Sequence, residues 1–382
     1  MNFDLSEEQI AIRDAVRAFA QTEIAPSSVE RDINAEFPYE IIKKLGELGF
    51  MGMMVSPDWD GAGMDTISYV LAIEEISKID ASVGVIMSVN NSLVCYGLEK
   101  WGSDFIKDKY LRPLASGKQL GAFCLSEPEA GSDATQQRTT ASKDGDDFLI
   151  NGMKNWITNG VTADVYFVQA VTDKSKGYKG ISTFIIEKNW DGIEIGKKED
   201  KLGIRSSDTC SIGFTNVRVP KENLLGEEGI GFKIAMSTLN GGRIGVAAQA
   251  LGIAQASLEA SVKYSKQRKA FDSTISNLQA IQFKIADMAT NIEAARLLIY
   301  RAAMNKDSNK PYIKEASMGK LLASQAAVNC ALEAIQIHGG YGYVREYLVE
   351  RYLRDSKITQ IYEGTSEIQK IVISRELMKD SF

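Results

Sequence analysis

Glu363 lies in the segment Gln360-Ile361-Tyr362-Glu363-Gly364-Thr365-Ser366-Glu367, near the C-terminus. A carboxylate flanked by Ile361 and Tyr362 is poorly solvated, which raises its pKa and makes its anion a stronger base. Gly364 allows close backbone approach and leaves its N–H for a ligand oxygen. Ser366 with Gln369 predicts a capping pair that opens a last helix carrying Ile368, Val372 and Leu377. By itself the segment also describes a glutamate ahead of an ordinary helix cap.

Four further stretches carry residues of the right type for chemistry. In Phe123-Cys124-Leu125-Ser126-Glu127-Pro128-Glu129-Ala130-Gly131-Ser132-Asp133, backbone N–H groups and the Ser132 hydroxyl could line a pyrophosphate or a flavin edge. A turn that merely crosses between domains is the competing reading. In Lys154-Asn155-Trp156-Ile157-Thr158-Asn159-Gly160, strand periodicity puts Trp156 and Thr158 on one side, one to stack on a flat ring and one to hydrogen-bond its edge. The alternative is Trp156 packed in a β core. Asn240-Gly241-Gly242-Arg243 reads as a glycine pair ahead of an alanine-rich helix from Ile244, with Arg243 able to bind phosphate or carboxylate, or simply to pair with a surface acid. Gln336-Ile337-His338-Gly339-Gly340-Tyr341-Gly342 has more glycine than a helix C-cap needs, so close approach to a ligand competes with a plain turn. Gln267–Phe271 and Leu278-Gln279, which flank a helix–helix connection, look like a charged loop and a helix start.

Composition removes other chemistries. The chain of 382 residues has one histidine, His338, and four widely spaced cysteines, Cys95, Cys124, Cys210 and Cys330. Histidine-rich zinc sites and helical His-Glu-x-x-His motifs are thereby excluded, and no metal site is expected. His338 has no nucleophile elbow to serve, and neither a Rossmann fingerprint nor a P-loop occurs. A formal net charge of −6 without a basic run argues against nucleic acid or an anionic membrane surface as partner. The first residues lack a basic leader, no run approaches the roughly 18–20 apolar residues of a membrane span, and the thiols look reduced, so a cytoplasmic location is expected.

The elements that must position these residues fall into three parts. Ser6 and Gln9 predict a capping box, with Ile12, Val16, Phe19 and Ala20 on one helix face. Ile41, Leu45 and Leu48 mark a second helix, and Tyr69–Ile79 and Ile106–Leu114 read as helical, the former after a glycine-rich turn at Asp58–Gly63. From about Gly121 the pattern turns to strands at 147–150, 165–168, 182–186 and 211–214, ending near Val217–Pro220. Beyond Pro220 the only proline is Pro311. Leu278, Ile281, Ile285, Met288, Ile292, Ala295 and Ile299 form one helical seam, and Leu321, Ser324, Val328, Ala331 and Ile335 another. The expected fold is α+β: an N-terminal helical domain (1–120), a middle β-barrel or sandwich domain (121–230) and a C-terminal four-helix bundle (231–382).

Taken together, Phe123–Asp133, Trp156-Ile157-Thr158, Arg268 with Gln279, Gln336–Gly340 and Glu363-Gly364-Thr365 stand in the order and spacing of the acyl-CoA dehydrogenase family, which the whole chain resembles. Ser88–Leu93 and Lys198–Arg205 look most like its short-chain, butyryl-CoA members. The resemblance implies an FAD enzyme that converts a saturated acyl-CoA to a trans-2-enoyl-CoA, Glu363 taking the α-proton and flavin N5 the β-hydride. The thioester carbonyl would meet the Glu363 N–H and a ribityl hydroxyl. The resemblance assigns flavin contacts to Phe123, Leu125, Ser126, Ser132, Trp156, Ile157, Thr158, Thr365, Ser366 and Glu367. It assigns Arg268, Leu278, Gln279, Gln336, Ile337, His338, Gly339 and Gly340 to a flavin in a neighbouring subunit, hence a homotetramer built as a dimer of dimers. Substrate contacts would come from Ser132, Asn240, Gly241, Gly242, Arg243 and Gly364, and electrons would pass to an electron-transfer flavoprotein. Some relatives carry the base at the place of Gly242; here glycine leaves that role to Glu363. Asn240 and His338 depart from the commoner residues at their places. Enoyl-CoA reduction, another small or branched acyl-CoA, a flavin oxidase or monooxygenase on the same fold, and a non-catalytic scaffold are the alternatives.

Overall fold

The computed structural model describes residues 4–379; Met1–Phe3, part of the segment read as lacking a leader, lie outside it. Helices α1 (Glu7–Phe19), α2 (Ala25–Asn34), α3 (Tyr39–Glu47), α4 (Thr66–Ile79), α5 (Ala81–Ser88), α6 (Tyr96–Trp101), α7 (Asp104–Ile106) and α8 (Arg112–Ala115) come first. The capping box forms as expected: Gln9 N donates to Ser6 Oγ at 3.2 Å and Ser6 N to Gln9 Oε1 at 3.0 Å. Ile41 and Leu45 of α3 are buried, but Leu48 falls past the helix end and is exposed. A π-helical segment, Val89–Cys95, joins α5 to α6. The helical stretch Ala81–Trp101 is long and apolar enough to cross a membrane, but 94% of its apolar window is buried inside the protein. It is a core helix.

The middle of the chain forms one eight-stranded mixed sheet of β1 (Gly121–Cys124), β2 (Thr140–Asp144), β3 (Asp147–Thr158), β4 (Val165–Val171), β5 (Ile181–Glu187), β6 (Ile193–Ile195), β7 (Thr209–Val219) and β8 (Leu224–Leu225). Their order is β6-β7-β3-β2-β4-β5-β8, with β1 parallel to β4. Both faces of β4 are covered. Tyr166, Val168 and Ala170 enter the core of the sheet itself, and Val165 and Phe167 pack on Leu98, Tyr110 and Leu114 of the helical part. That burial explains why β4 reads as a continuous apolar run.

The C-terminal part contains α9 (Gly231–Gln267), a short hairpin of β9 (Lys269–Ala270) and β10 (Ser273–Thr274), then α10 (Gln279–Asp307), α11 (Ile313–His338), α12 (Val349–Ile358) and α13 (Ser366–Lys379). In α10 the expected seam is deepest at Met288, Ile292, Ala295 and Ile299. In α11 the expected seam holds at Ser324 and Ala331, both buried, but the buried face is broader and shifted from it. Ala316, Lys320, Ala323, Ala327, Cys330, Ala334 and Ile337 are buried, while Leu321, Val328 and Ile335 lie half-buried beside them. Small residues sit where helices approach most closely, and the larger aliphatic ones fill the flanks. The N-terminal and C-terminal helices share one core, with Tyr69, Val70 and Ile73 in the same cluster as Ala247, Ala250, Leu251 and Ala254.

Candidate active site

Glu363 sits in the connection between α12 and α13, in a left-handed conformation (φ 52°) followed by Gly364 at φ 93°. Two like-handed residues in succession turn the chain sharply, and the second must be glycine at small cost. Behind the turn, α12 is fixed to the N-terminal helices by a buried ion network. Arg351 and Arg31 both pair with Asp80, at 2.9 and 2.8 Å, and Arg354 pairs with Asp32 at 2.7 Å. The turn itself is held by Lys320, whose Nζ donates to the Gly364 carbonyl at 2.7 Å, and by Gln369 Nε2, which donates to the same oxygen at 2.8 Å. The cap of α13 is thus not the expected Ser366–Gln369 pair. Thr365 Oγ1 accepts from Ile368 N at 3.3 Å, and Gln369 is drawn back to the turn because two carbonyls there need donors.

The Glu363 carboxylate points at α9. Oε2 is enclosed and has no hydrogen-bond partner among the described residues. A Cβ at Gly242 would stand 2.1 Å from Oε2 and 2.6 Å from Leu93 Cδ2. The Gly241-Gly242 pair therefore lies inside a continuous helix, not ahead of one as expected, and α9 begins at Gly231 rather than near Ile244. Glycine inside a helix costs about 1 kcal/mol relative to alanine, and the reason for it here is the neighbouring carboxylate. Burial raises the Glu363 pKa to about 7, against the opposing pull of Lys320 and Arg243. Arg243, itself held down to about 10 by burial, donates from Nη1 to Asn240 Oδ1 at 2.8 Å and to Ser317 Oγ at 3.3 Å. Among the described residues the Glu363 backbone N–H has no acceptor, so an oxygen could be received there.

One turn along α9 the space closes. A Cβ at Gly245 would meet Ser88 Oγ and Tyr69 Oη, each at 2.5 Å, and those two hydroxyls are bonded to each other at 2.9 Å. Tyr362, beside the carboxylate, gives its hydroxyl to Gln249 Oε1, and Gln249 Nε2 donates to the Ala81 carbonyl at 2.8 Å.

The π segment Val89–Cys95 links this point to the sheet. Asn90 Oδ1 accepts from Gly121 N at 3.0 Å, and its Nδ2 donates to the Met51 and Leu114 carbonyls at 2.8 and 3.1 Å. π-Bulges recur at functional sites because they re-aim side chains without ending the helix. From Gly121, β1 leads to Phe123, Leu125 and Ser126. The loop after it is fastened to β3 by an ion pair that sequence reading missed. Lys154, fully buried, reaches Glu127 at 2.7 Å, the Leu125 carbonyl at 3.2 Å and Gln137 Oε1 at 3.0 Å. Burial lowers the Lys154 pKa, with Glu127 opposing.

Trp156 is not in the β core: it is 62% exposed, at φ 61°, where the β3–β7 register shifts between Lys154 and Ile157. Ile157 is buried, and Thr158 lies half-buried beside it. The bulge, rather than plain strand alternation, turns the indole outward. Among the described residues nothing hydrogen-bonds the hydroxyls of Ser126, Ser132 or Thr158. Ser132 is exposed and Ser126 and Thr158 are half-buried, and free hydroxyls with an exposed indole are groups that suit the edge and face of a flat ring cofactor.

The remaining expected contacts lie elsewhere. Arg268, Gln279 and Gln336–Gly340 gather where α9 ends, α10 begins and α11 ends, with the Arg268 guanidinium 5.6 Å from the Tyr341 ring centroid. Leu278 is the residue before α10, and Thr365, Ser366 and Glu367 belong to the Glu363 turn and the start of α13. Gly339 and Gly340 face open space. The His338 ring turns inward: it stacks on Tyr264 at 4.1 Å, and its Nδ1 donates to the Ala334 carbonyl at 2.7 Å. From Lys320 to His338 along α11 is about 27 Å at the helical rise per residue. One chain does not bring this group to the Glu363 end.

Family models described as the N-terminal, middle and C-terminal domains of acyl-CoA dehydrogenase match residues 6–118, 122–217 and 229–378. The mitochondrial short-chain specific acyl-CoA dehydrogenase of Mus musculus is 52% identical over 376 residues, covering 98% of this chain and 91% of that protein. The structure of butyryl-CoA dehydrogenase from Megasphaera elsdenii superposes with a TM-score of 0.97 at 48% identity, over 99% of this chain and 100% of that one. A chain solved in work on the electron transferring flavoprotein of Acidaminococcus fermentans and flavin-based electron bifurcation gives 0.98 at 52% identity, with full coverage of both. With matches over nearly its whole length and a buried carboxylate set between its N-terminal and C-terminal helices, the chain belongs to the acyl-CoA dehydrogenase family of oxidoreductases.

Proposed function

We propose that the protein carries out α,β-dehydrogenation of a short-chain acyl-CoA, butyryl-CoA first among them, with Glu363 removing the α-proton. The observation that carries this reading is the enclosed, unpartnered Glu363 Oε2 beside Gly242. A thioester α-proton is weakly acidic, so its removal needs a desolvated carboxylate and a polarised carbonyl together. The free Glu363 N–H suits that carbonyl oxygen. Arg243 and Asn240, bonded to each other on the helix that carries Gly242, would serve the polar part of the substrate, and the Tyr69–Ser88 contact over Gly245 supports a short acyl chain.

FAD, when bound, supplies the hydride acceptor that no side chain can be. Residues fit to hold it are Trp156 for stacking and Phe123, Leu125, Ser126, Ser132, Ile157, Thr158, Thr365, Ser366 and Glu367 around it. Arg268, Leu278, Gln279 and Gln336–Gly340, distant from Glu363 in their own chain, would serve the flavin of a second copy, which favours a homotetramer assembled as a dimer of dimers. An electron-transfer flavoprotein is the proposed electron acceptor. The three parts at 1–120, 121–230 and 231–382 are the proposed domains.

The test is an anaerobic absorbance titration of the purified protein with butyryl-CoA. Bleaching of the flavin band supports flavin, substrate class and reaction together. A yellow protein left unbleached by butyryl-CoA and by longer acyl-CoAs would defeat the proposal. Glu363→Gln should keep its colour and ligand binding and lose about 10²–10⁴-fold in turnover, the usual contribution of a general base.

A further inference from the structure

Lys320 is the one lysine of the α11 seam and is fully buried. A lysine there must be neutralised or satisfied, since an isolated buried ammonium is costly. No carboxylate forms an ion pair with it among the described residues. Its Nζ instead meets the Gly364 carbonyl at 2.7 Å, one residue past Glu363. That carbonyl belongs to the Gly364–Thr365 peptide, which closes the left-handed Glu363-Gly364 turn, so the bond holds the far end of the turn that carries the carboxylate. Gln369 supplies the second donor to the same oxygen, which makes the turn a two-point anchor.

The charges around Glu363 come from every packed element. They are Arg243 of α9, Lys320 of α11, Tyr69 of α4 and Tyr362 of the turn, with Glu367 and Arg375 of α13 acting on Lys320 and Arg243 in turn. Of these, Lys320 and Arg243 stabilise the carboxylate anion, Lys320 the more strongly. Arg243 is also hydrogen-bonded toward Asn240 and Ser317, whereas Lys320 is committed to the turn.

We infer that Lys320 is a positioning residue for the base: its ammonium clamps the Gly364 carbonyl and is the principal cation facing the Glu363 carboxylate. The inference rests on Glu363 being the base. Burial opposes the charge of both partners, holding Lys320 down to about 8 while Glu363 is raised to about 7, which is consistent with two groups sharing one dry site.

The test compares Lys320→Met, Lys320→Gln and Lys320→Arg holoenzymes by the pH dependence of kcat/KM for butyryl-CoA, alongside flavin absorbance and thermal melting. Without the cation, the rising limb should move up by about one pH unit, with kcat/KM about fivefold lower at pH 7 and approaching about tenfold lower on the acid side. Lys320→Arg should return the limb toward that of the parent. Lys320→Gln keeps a donor near Gly364 without charge and guards against loss of folding in the Met variant. A limb that stays put in the neutral variants while melting falls would reduce Lys320 to a structural prop and overturn the inference. Glu363→Gln, measured beside them, separates the two ideas. If it retains turnover, the base assignment fails; if it is inactive and the limb is unmoved in the Lys320 variants, only the Lys320 inference fails.

Discussion

Replacing Gly242 with alanine tests the geometry of the site with a single methyl group. The added Cβ would lie 2.1 Å from Glu363 Oε2 and 2.6 Å from Leu93 Cδ2, where ordinary contact needs about 3.5 Å. Both obstructing atoms end flexible side chains, so the helix can stay in place while the carboxylate retreats by more than an ångström. In stability the change is close to balanced. Alanine gains about 1 kcal/mol of helix propensity over glycine, and overpacking costs about 1–3 kcal/mol. In catalysis it is not balanced, because a displacement of about 1 Å from the attacking position costs on the order of 10²-fold. The expected result is a folded, yellow variant with a melting temperature within a few degrees of the parent and about 100-fold lower kcat with butyryl-CoA. Steady-state turnover, the anaerobic bleaching rate and a thermal melt measure all three. A variant that melts normally and turns over within about threefold of the parent would refute the argument that the Gly242–Glu363 approach sets the reacting distance.

Other outcomes follow from the same geometry. Because the Glu363 pKa is raised to about 7 by burial, kcat/KM should rise with pH through about 7 as the base ionises. For stability the sign is opposite: the folded state holds this proton where the unfolded chain has lost it, so Glu363 destabilises progressively from its unfolded pKa up to about pH 7, and Glu363→Gln should flatten that dependence in a melt series. Lys154→Met leaves Glu127 buried beside β3 without its cation. Loss of about 3–5 kcal/mol in denaturant unfolding is expected, together with a lower flavin-to-protein absorbance ratio. Tyr69→Leu removes the hydroxyl that closes the space over Gly245, and the ratio of kcat/KM for hexanoyl-CoA to that for butyryl-CoA should rise by about 10-fold or more.

Much of this was readable in the chain, and the failures share a cause. Elements with a clear period came through: the capping box at Ser6, the strands β3, β4, β5 and β7 and the α10 seam all depend on local spacing. The misreadings occurred where a tertiary neighbour overrode the local rule. Gly241-Gly242 looked like a loop because two glycines weaken a helix, yet the requirement came from Glu363, 121 positions away. Ser366 looked like the cap of α13 because its spacing to Gln369 is right, but the glutamine was needed by the carbonyls of the preceding turn. Leu321, Val328 and Ile335 drew the α11 seam toward one flank, because hydrophobic size was taken for burial, while Ser324 and Ala331 of that seam are buried. Lys320 left a usable signal there. A lysine in register with Ala316, Ala323 and Ala327 is a polar residue on an otherwise small and apolar stripe, and such a residue must find a partner. Lys154 left none, since alternation along β3 is broken by the bulge that exposes Trp156.

The site is assembled where three long-range seams meet, which explains its mixture of glycine and buried charge. Small residues at 241, 242 and 245 let α9 approach the π segment, Tyr69 and the Glu363 turn closely enough to exclude water from the carboxylate. Exclusion alone would raise the carboxyl pKa until the acid stayed protonated and could not act as a base. Lys320 and Arg243 pull in the other direction, and the balance lies near 7, where ionisation is accessible and the anion still gains basicity from its dry surroundings. The cations are themselves held away from direct contact with the carboxylate: Lys320 by the Gly364 carbonyl, Arg243 by Asn240 and Ser317. A direct ion pair would lower the pKa further and occupy the oxygen needed for the substrate proton. The unpartnered Oε2 is therefore what the surrounding hydrogen bonds are arranged to preserve.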